Sequence, residues 1–525
     1  MPKVLIADDL SPAAVRIFHD RGIEADVRVG MKPDELLAVI GDYDGLAVRS
    51  ATKVTAAVLQ AATKLKVVGR AGIGVDNIDI DAATHRGVVV MNTPFGNAVT
   101  TAEHAISLML ALCREIPAAD RSTRAGKWEK SRFMGTEVFG KTLGLIGCGN
   151  IGSIVADRAQ GLKMRVVVYD PYLSPERARD LGVERVELAD LLARADIISL
   201  HTPLTEQTKN VLGRNNLLKT RPGVRIINCA RGGLVDENAL AELIKAGHIA
   251  GAALDVFTVE PAKQSPLFDL DEVIVTPHLG ASTAEAQENV ALQVAEQISD
   301  YLSTGAIVNA LNMASVTAEE APRLRPYMAL VEQLGSFAGQ LSDTGLNGVT
   351  ITYAGHAATL NTKPLTQVLL AALLRPALAS VNMVNAPALA RQRNIDVTTV
   401  THERVEGYQT MITIEVTSGE MTRAVCGTLF ADAEPRLVSI RGIAMDAKLA
   451  PHMLYVRNQD KPGFIGNLGR TLGDADINIA TFHLGRDRPG GDAIALVEVD
   501  QPLPEAVLDQ VRKLPNVIRA RQLSF

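Results

Sequence analysis

Cysteine is scarce in this chain. Its four copies in 525 residues, Cys113, Cys148, Cys229 and Cys426, lie far apart and form no CxxC pair, so neither a disulfide framework nor a zinc site is suggested and a reducing cytosol fits. An excess of one charge is also missing: 53 Lys and Arg stand against 59 Asp and Glu, for a formal net charge of -6. Such a chain has no electrostatic footprint for nucleic acid or an anionic membrane, so the positive site for any anionic substrate has to be local. Long apolar runs are absent too. The opening MPKVLIADDL reaches two aspartates before the apolar stretch of a signal peptide can form. The later LLAALLRPALA is broken by Arg375 and Pro376, well short of a bilayer span. Neither a membrane anchor nor a metal centre is expected.

What the chain has is length and ordinary globular chemistry. With 47% hydrophobic and 21% charged residues it can fill several cores, and 525 residues are too many for one, so three or four domains are expected. The opening alternates apolar runs at Lys3 to Ala7 and Gly45 to Val48 with helical spacing from Pro12 to Arg21. LKVVGRAGIGVDNID and RGVVVMNTP add β-branched runs that end in Gly, Asn or Pro turns, the pattern of buried parallel strands. TAEHAISLMLALCREIP predicts a long helix stopped by Pro117 that links this region to the next. The strand-like runs KTLGLIG, RVVVYD, DIISLHTP, VRIINCA, AGAALDVF and VIVTPHLG, separated by helical stretches, then describe a doubly wound α/β sheet. A helix running on to Gly305 is long enough to return to the first domain, which is therefore expected to be discontinuous. The region from about 307 to 450 reads as mixed α/β without a motif. From His452 a βαββαβ pattern follows, with a DKPG turn and two strands flanking Pro489, Gly490 and Gly491.

GCGNIG, with Gly147, Gly149 and Gly152, matches GxGxxG between the strand LGLI and a helix starting near Ile151. In that context the glycines allow a tight turn, approach of a pyrophosphate to the backbone, and close helix packing, with the helix N-terminus facing the phosphates. Asp170 ends the next strand, where its carboxylate can accept hydrogen bonds from the adenosine ribose and repel a 2′-phosphate, which favours NAD over NADP.

Oxidising a 2-hydroxy acid with NAD needs a base, a cation for the carboxylate and a hydride path. Arg231 follows the strand VRIINCA, at the end where ligands of open α/β sheets bind, and its planar fork suits a carboxylate. His278 ends the strand VIVTP and is the natural proton carrier. Glu260, in DVFTVEP, can hold that imidazole in one tautomer. Each alone also has a bland reading, as a surface ion pair, a loop residue or a structural histidine. Their joint placement behind a dinucleotide motif favours the catalytic one.

VRSATKV, VGRAGIGVDNID, MNTPFGNAVTTAEH, GKWEKSRFMGTE, GLIGCGNIG, NCARGGLVDE, AALDVFTVEP and TPHLGAS together resemble the D-isomer-specific 2-hydroxy acid dehydrogenases of the long, four-domain type, over roughly residues 40 to 285. The resemblance implies a flavodoxin-like substrate domain over 1–98 completed by 282–306, a Rossmann domain over 99–281, an intervening domain over 307–450 and an ACT regulatory domain over 452–525. It implies NAD-dependent oxidation of 3-phospho-D-glycerate to 3-phosphooxypyruvate, the first step of L-serine biosynthesis, in a cytoplasmic homodimer or homotetramer, with a side activity reducing 2-oxoglutarate. Catalytic roles carry over to Arg231, Glu260 and His278. Substrate contacts carry over to Arg49, Ser50, Asn97 and the Gly72, Ile73, Gly74 backbone, alongside Arg231 and His278, with Arg49 facing the phosphate. Cofactor contacts extend to Asn150, Ile151, Thr202 and Cys229. They continue through Ala230, Arg231, Asp255, His278, Gly280 and Ala281.

Trp128, the only tryptophan, with Lys130 and Arg132 falls where dimers of this family reach a neighbour's active site; core packing is its other reading. Serine-effector positions fall on Asn458, Asp460 and Asn478, and Asn458 departs from the His or Tyr expected there, which puts serine inhibition in doubt. Arg436, Arg441, Lys448, His452 and Arg457 form a basic stretch that reads either as an anion site or as a solvated face. Two rival functions stand beside this one: a glyoxylate or hydroxypyruvate reductase, against which Arg49 and the long C-terminal region argue, and an NAD-sensing corepressor-like binding protein.

Overall fold

Short aliphatic runs without polar alternation become strands covered on both faces. In the computed structural model, which describes every residue of 1–525 except 318, 343, 344, 379, 406, 420 and 432, such runs build two parallel sheets. The first has five strands in the order Glu24–Val27, Lys3–Ile6, Gly45–Val48, Val67–Arg70, Val89–Asn92, all parallel, the flavodoxin-like arrangement. The helix Ala284–Thr304 lies across one face of it and buries Val290, Val294 and Ile298 against Val4, Ile6 and Val67. The fit depends on Gly69, where a Cβ would stand 2.6 Å from both Val294 Cγ2 and Ile298 Cδ1. That helix ends at Gly305, whose φ of 78° is the left-handed C-cap conformation.

The second sheet has seven parallel strands, in the order Val273–Val275, Ile249–Leu254, Val224–Asn228, Ile197–Leu200, Thr142–Ile146, Arg165–Tyr169, Glu184–Arg185. Strand order reverses between Thr142–Ile146 and Ile197–Leu200, and such a switch point opens a crevice at the strands' carboxyl ends. The helix Ala98–Cys113 joins the two sheets. It stops before Pro117: the chain turns at Glu115, φ 51°, and Pro117 falls in the first turn of a separate helix, Ile116–Arg124. Proline is tolerated there because its missing N–H has no helical partner at that position. Two strands escape the sequence pattern. Glu24–Val27 is a polar, half-exposed edge, and Glu184–Arg185 is two exposed residues long.

The third sheet is mixed. Asp396–His402 runs parallel to Leu346–Gly355, and Thr410–Ser418, Met421–Phe430, Glu434–Ile440 and Ile443–Ala447 follow antiparallel. The helices Glu320–Leu341 and Thr362–Leu374 supply the rest of its core. The fourth is a ferredoxin-like antiparallel sheet in the order Ile479–Arg486, Asp492–Val499, His452–Gln459, Val517–Ser524, with the helices Phe464–Gly473 and Glu505–Arg512 on one face. Its other face packs Met453, Tyr455, Ile494 and Leu496 into the core of the third unit, with the Tyr455 ring edge-on to Phe337 at 6.2 Å.

Candidate active site

The crevice at the switch point is a cleft of ≈ 660 Å³ between the first two sheets. Gly147 closes the tight turn with φ 95°; a Cβ there would lie 2.5 Å from the His201 carbonyl oxygen. Gly152 faces the Gly147 carbonyl, so a side chain on Gly152 would push the helix Asn150–Gly161 off that turn. A Cβ on Gly149, by contrast, would meet nothing within 4 Å, so space for a ligand lies open over that backbone. Asp170 fixes the turn by accepting from the Cys148 N–H at 2.8 Å through one oxygen and the Tyr172 N–H at 2.8 Å through the other. Turn, open backbone and carboxylate fit a dinucleotide. Asn150, Ile151, Thr202, Cys229, Ala230, Gly280 and Ala281 line the cleft; Gly147, Gly149, Gly152, Asp170 and Asp255 are not among its lining residues.

His278 Nδ1 lies 2.7 Å from Glu260 Oε2, and Glu260 Oε1 accepts from the Phe257 N–H at 3.0 Å, which holds the carboxylate at both ends. His278 sits at φ 55°, a conformation that costs a side-chain-bearing residue energy. Asp255 organises the loop that imposes it. This carboxylate is fully buried and accepts from Thr276 Oγ1 at 2.6 Å, Leu279 N at 2.7 Å and Gly280 N at 2.8 Å, with His104 Nε2 3.3 Å away. Burial alone would raise its pKa; the hydrogen bonds from His104, Thr276 and the two N–H groups outweigh it and hold the group below the usual carboxylate range.

Arg231 crosses the cleft from the second sheet to the first. Asn228 pins its turn through the Ala230 N–H at 3.1 Å and the Arg231 carbonyl at 2.9 Å, and the guanidinium Nε meets Asp76 Oδ2 at 3.1 Å. It lies against Gly74, where a side chain would collide with it. Arg49, Ser50, Gly72, Ile73, Gly74 and Asn97 all line the cleft facing Arg231 and His278. So does Arg70, which the sequence reading missed. Its pKa is pushed down to about 10, by burial first and then by Arg231 and Arg49, against the opposing pull of Asp76 and Asp8. Three guanidinium groups thus converge in an acidic protein. The signal for Arg70 was available: it ends the strand Val67–Arg70, the positional rule that singled out Arg231. His201 also lines the cleft; burial pushes its pKa down to about 4, so its imidazole is neutral, with Nε2 2.8 Å from Ser199 Oγ.

Trp128 is 87% exposed, which removes the core-packing reading; Met134 and Phe139 on the same segment are exposed too. An apolar hollow of ≈ 520 Å³ lined by Phe257, Pro261, Phe268 and Val275 abuts His278 and Glu260. In the fourth unit Asp460 accepts from Arg486 Nη1 at 2.8 Å and Gly490 N at 3.0 Å, and Asn478 donates to Asp500 Oδ2 at 2.8 Å, so these two already face protein neighbours, while buried Asn458 donates to the Gln459 carbonyl at 2.8 Å and its Oδ1 has no hydrogen-bond partner among the described residues. The basic stretch does not converge on one site: Arg436 reaches Glu434 and Asp446, Lys448 reaches Glu434, and Arg457 reaches Asp492. Arg441 and Arg457 instead line a small hollow between the third and fourth units. Among the described residues no helix is long and apolar enough to cross a membrane.

Comparison with known proteins matches residues 106–280 to the NAD binding domain of the D-isomer specific 2-hydroxyacid dehydrogenases, 323–441 to the D-3-phosphoglycerate dehydrogenase intervening domain, and 452–516 to the ACT domain. The chain is similar to the D-3-phosphoglycerate dehydrogenase of Bacillus subtilis, 43% identical over 100% of both chains, and to that of Archaeoglobus fulgidus, 42% identical over 99% of both. Among solved structures, a glyoxylate reductase from Paecilomyes thermophila superposes with a TM-score of 0.56 at 29% identity, covering 59% of this chain and 98% of its own. A D-lactate dehydrogenase from Aquifex aeolicus, complexed with NAD and lactic acid, superposes with a TM-score of 0.51 at 25% identity, covering 57% and 95%.

Proposed function

The chain belongs to the D-3-phosphoglycerate dehydrogenases, within the D-isomer specific 2-hydroxyacid dehydrogenase family, and on that footing we propose that its cleft oxidises 3-phospho-D-glycerate to 3-phosphooxypyruvate through Arg231, Glu260 and His278. This is the first step of L-serine biosynthesis. NAD, when bound along the Gly147 to Gly152 turn, supplies the hydride acceptor. With Nδ1 committed to Glu260, Nε2 is the nitrogen of His278 left to take the hydroxyl proton as the C2 hydrogen departs as hydride. Glu260 stabilises the imidazolium that results, and the neutral carboxylate-paired imidazole is restored when the proton leaves. Arg231 holds the substrate carboxylate against this pair, and Arg49 with Arg70 receives the phosphate.

The observation that carries this reading is the 2.7 Å His278 to Glu260 contact facing three arginines in one cleft. Following NADH formation with 3-phospho-D-glycerate, beside unphosphorylated glycerate and lactate, tests it. Strong preference for the phosphorylated acid is expected, and equal turnover of lactate would reject the phosphate assignment. Glyoxylate and hydroxypyruvate carry no phosphate for Arg49 and Arg70 to receive. A corepressor-like protein would show no turnover at all. Running the assay in reverse with 2-oxoglutarate tests the side activity.

The same proposal divides the chain at 1–98 with 282–306, 99–281, 307–450 and 452–525, supported by each of the four sheets drawing its strands from one of these segments. It makes the protein a cytoplasmic homo-oligomer. Exposed Trp128 and the apolar hollow beside His278 support a second copy reaching across with its 126–140 segment. Serine, if it binds at Asn458, Asp460 and Asn478, has to compete with Arg486 for Asp460, so repeating the assay with serine measures how much of the regulation this chain retains.

A further inference from the structure

We propose that Asp8, which does not itself line the cleft, is the positioning residue for the substrate-anion loop and sets the enzyme's affinity for its phosphorylated substrate. Asp8 follows the first strand and is 4% exposed. Its Oδ2 accepts from the backbone N–H of Arg49 at 2.6 Å, and its Oδ1 accepts from Thr52 N at 3.0 Å and Thr52 Oγ1 at 2.6 Å. From the other side Asn77 Nδ2 donates to the carbonyls of Arg49 at 3.0 Å and Thr52 at 2.7 Å. The loop carrying Arg49 and Ser50 is thereby clamped at both edges. Asn77 stands next to Asp76, which holds Arg231, so the clamp ties the phosphate side of the cleft to its carboxylate side.

The second domain uses the same device. Asp255 also follows a strand, is also buried, and also accepts from two backbone N–H groups and one threonine hydroxyl, there to fix the loop that bears His278. Each half of the cleft therefore has one buried carboxylate that presents its working side chain. A loop this short, left without its acceptor, has two N–H groups and a hydroxyl to satisfy elsewhere, and it will move to do so. The hydrogen bonds that Asp8 accepts come from Arg49 and Thr52, so its loss acts on that one loop.

The inference rests on the proposed function, and the test keeps the two apart. Asp8→Asn retains size but turns an amide toward the Thr52 donors; Thr52→Val removes the hydroxyl alone. In the full-length enzyme we expect Asp8→Asn to raise KM for 3-phospho-D-glycerate about tenfold or more, and Thr52→Val by about threefold, while KM for NAD stays within about twofold. In an Arg49→Ala background, Asp8→Asn should add little to KM, because both changes act on one loop. A merely structural role would lower thermal stability and the active fraction without moving KM in the surviving molecules. Unchanged KM in folded Asp8→Asn overturns the proposal, and if that variant does not fold, unchanged KM in Thr52→Val does. A parent protein inactive on every 2-hydroxy acid would overturn the function instead, and the calorimetric affinity for 3-phospho-D-glycerate would still score Asp8.

Discussion

Arg70 and His278 are held in states that a free side chain would leave. Arg70 is crowded by two other arginines in a half-buried position, and an anion arriving between them relieves that repulsion. Arg70→Met should therefore raise KM for 3-phospho-D-glycerate by about ten- to a hundredfold, the worth of a charge-assisted pair, and leave KM for NAD unmoved. Steady-state kinetics with each substrate varied in turn checks this. For the acid–base pair, His278→Ala should lower kcat by about a hundred- to ten-thousandfold with NADH binding, read by fluorescence, nearly intact. Glu260→Gln should cost less, since it keeps a hydrogen bond to Nδ1 but loses the charge that favours the imidazolium. Arg231, Glu260 and His278 were legible in the sequence because strand ends and chemical need pointed to the same three residues. Asp8, Asn77 and His104 were not, because their meaning lies in partners far along the chain, 41 positions in the case of Asp8 and Arg49.

Loops and helices show the same division. The GCGNIG turn was legible because the glycines, the strand before them and the helix after them are contiguous. The separate helix Ile116–Arg124 was not, because the break rests on one left-handed residue, Glu115, that no local pattern announces. The polar edge Glu24–Val27 was invisible because it lacks the alternation that marks a half-buried strand. At this scale the helix Ala284–Thr304 gives a sharp prediction. Gly69→Ala pushes a methyl against Val294 and Ile298 and should destabilise the first unit by about 1–3 kcal/mol, measured by urea unfolding. The His278 loop gives another. Asp255 is held below the usual carboxylate range in the folded state, so the stability it contributes is present above the unfolded pKa near 4 and is lost as pH falls through the folded value. Thr276→Val removes one of its donors and should move the acid midpoint of unfolding upward, which circular dichroism across pH 2 to 5 would register.

Across the whole molecule the catalytic half and the C-terminal half meet through amide side chains at a helix end. Asn382 donates to the Gly87 carbonyl at 2.9 Å while its own Oδ1 accepts from Val384 N at 2.9 Å and Asn385 N at 3.2 Å; Asn385 donates to the His85 carbonyl at 3.3 Å. These carbonyls belong to the C-terminal turn of the helix Ile80–Arg86, where backbone acceptors lack helical partners and the dipole is negative. The third unit therefore completes a helix of the first, and the strand that follows, Val89–Asn92, leads to Asn97 in the cleft. The third unit in turn shares its core with the fourth through Phe337 and Tyr455. The Asn382 and Asn385 contacts are therefore with the unit that carries Arg49 and Arg70. Asn382→Ala leaves the Gly87 carbonyl without its partner, at a cost of about 1–3 kcal/mol. Amide hydrogen exchange should quicken over residues 80–92 and stay unchanged over residues 142–152, whereas equal quickening in both stretches would mean that the contact supports the whole protein and not the junction.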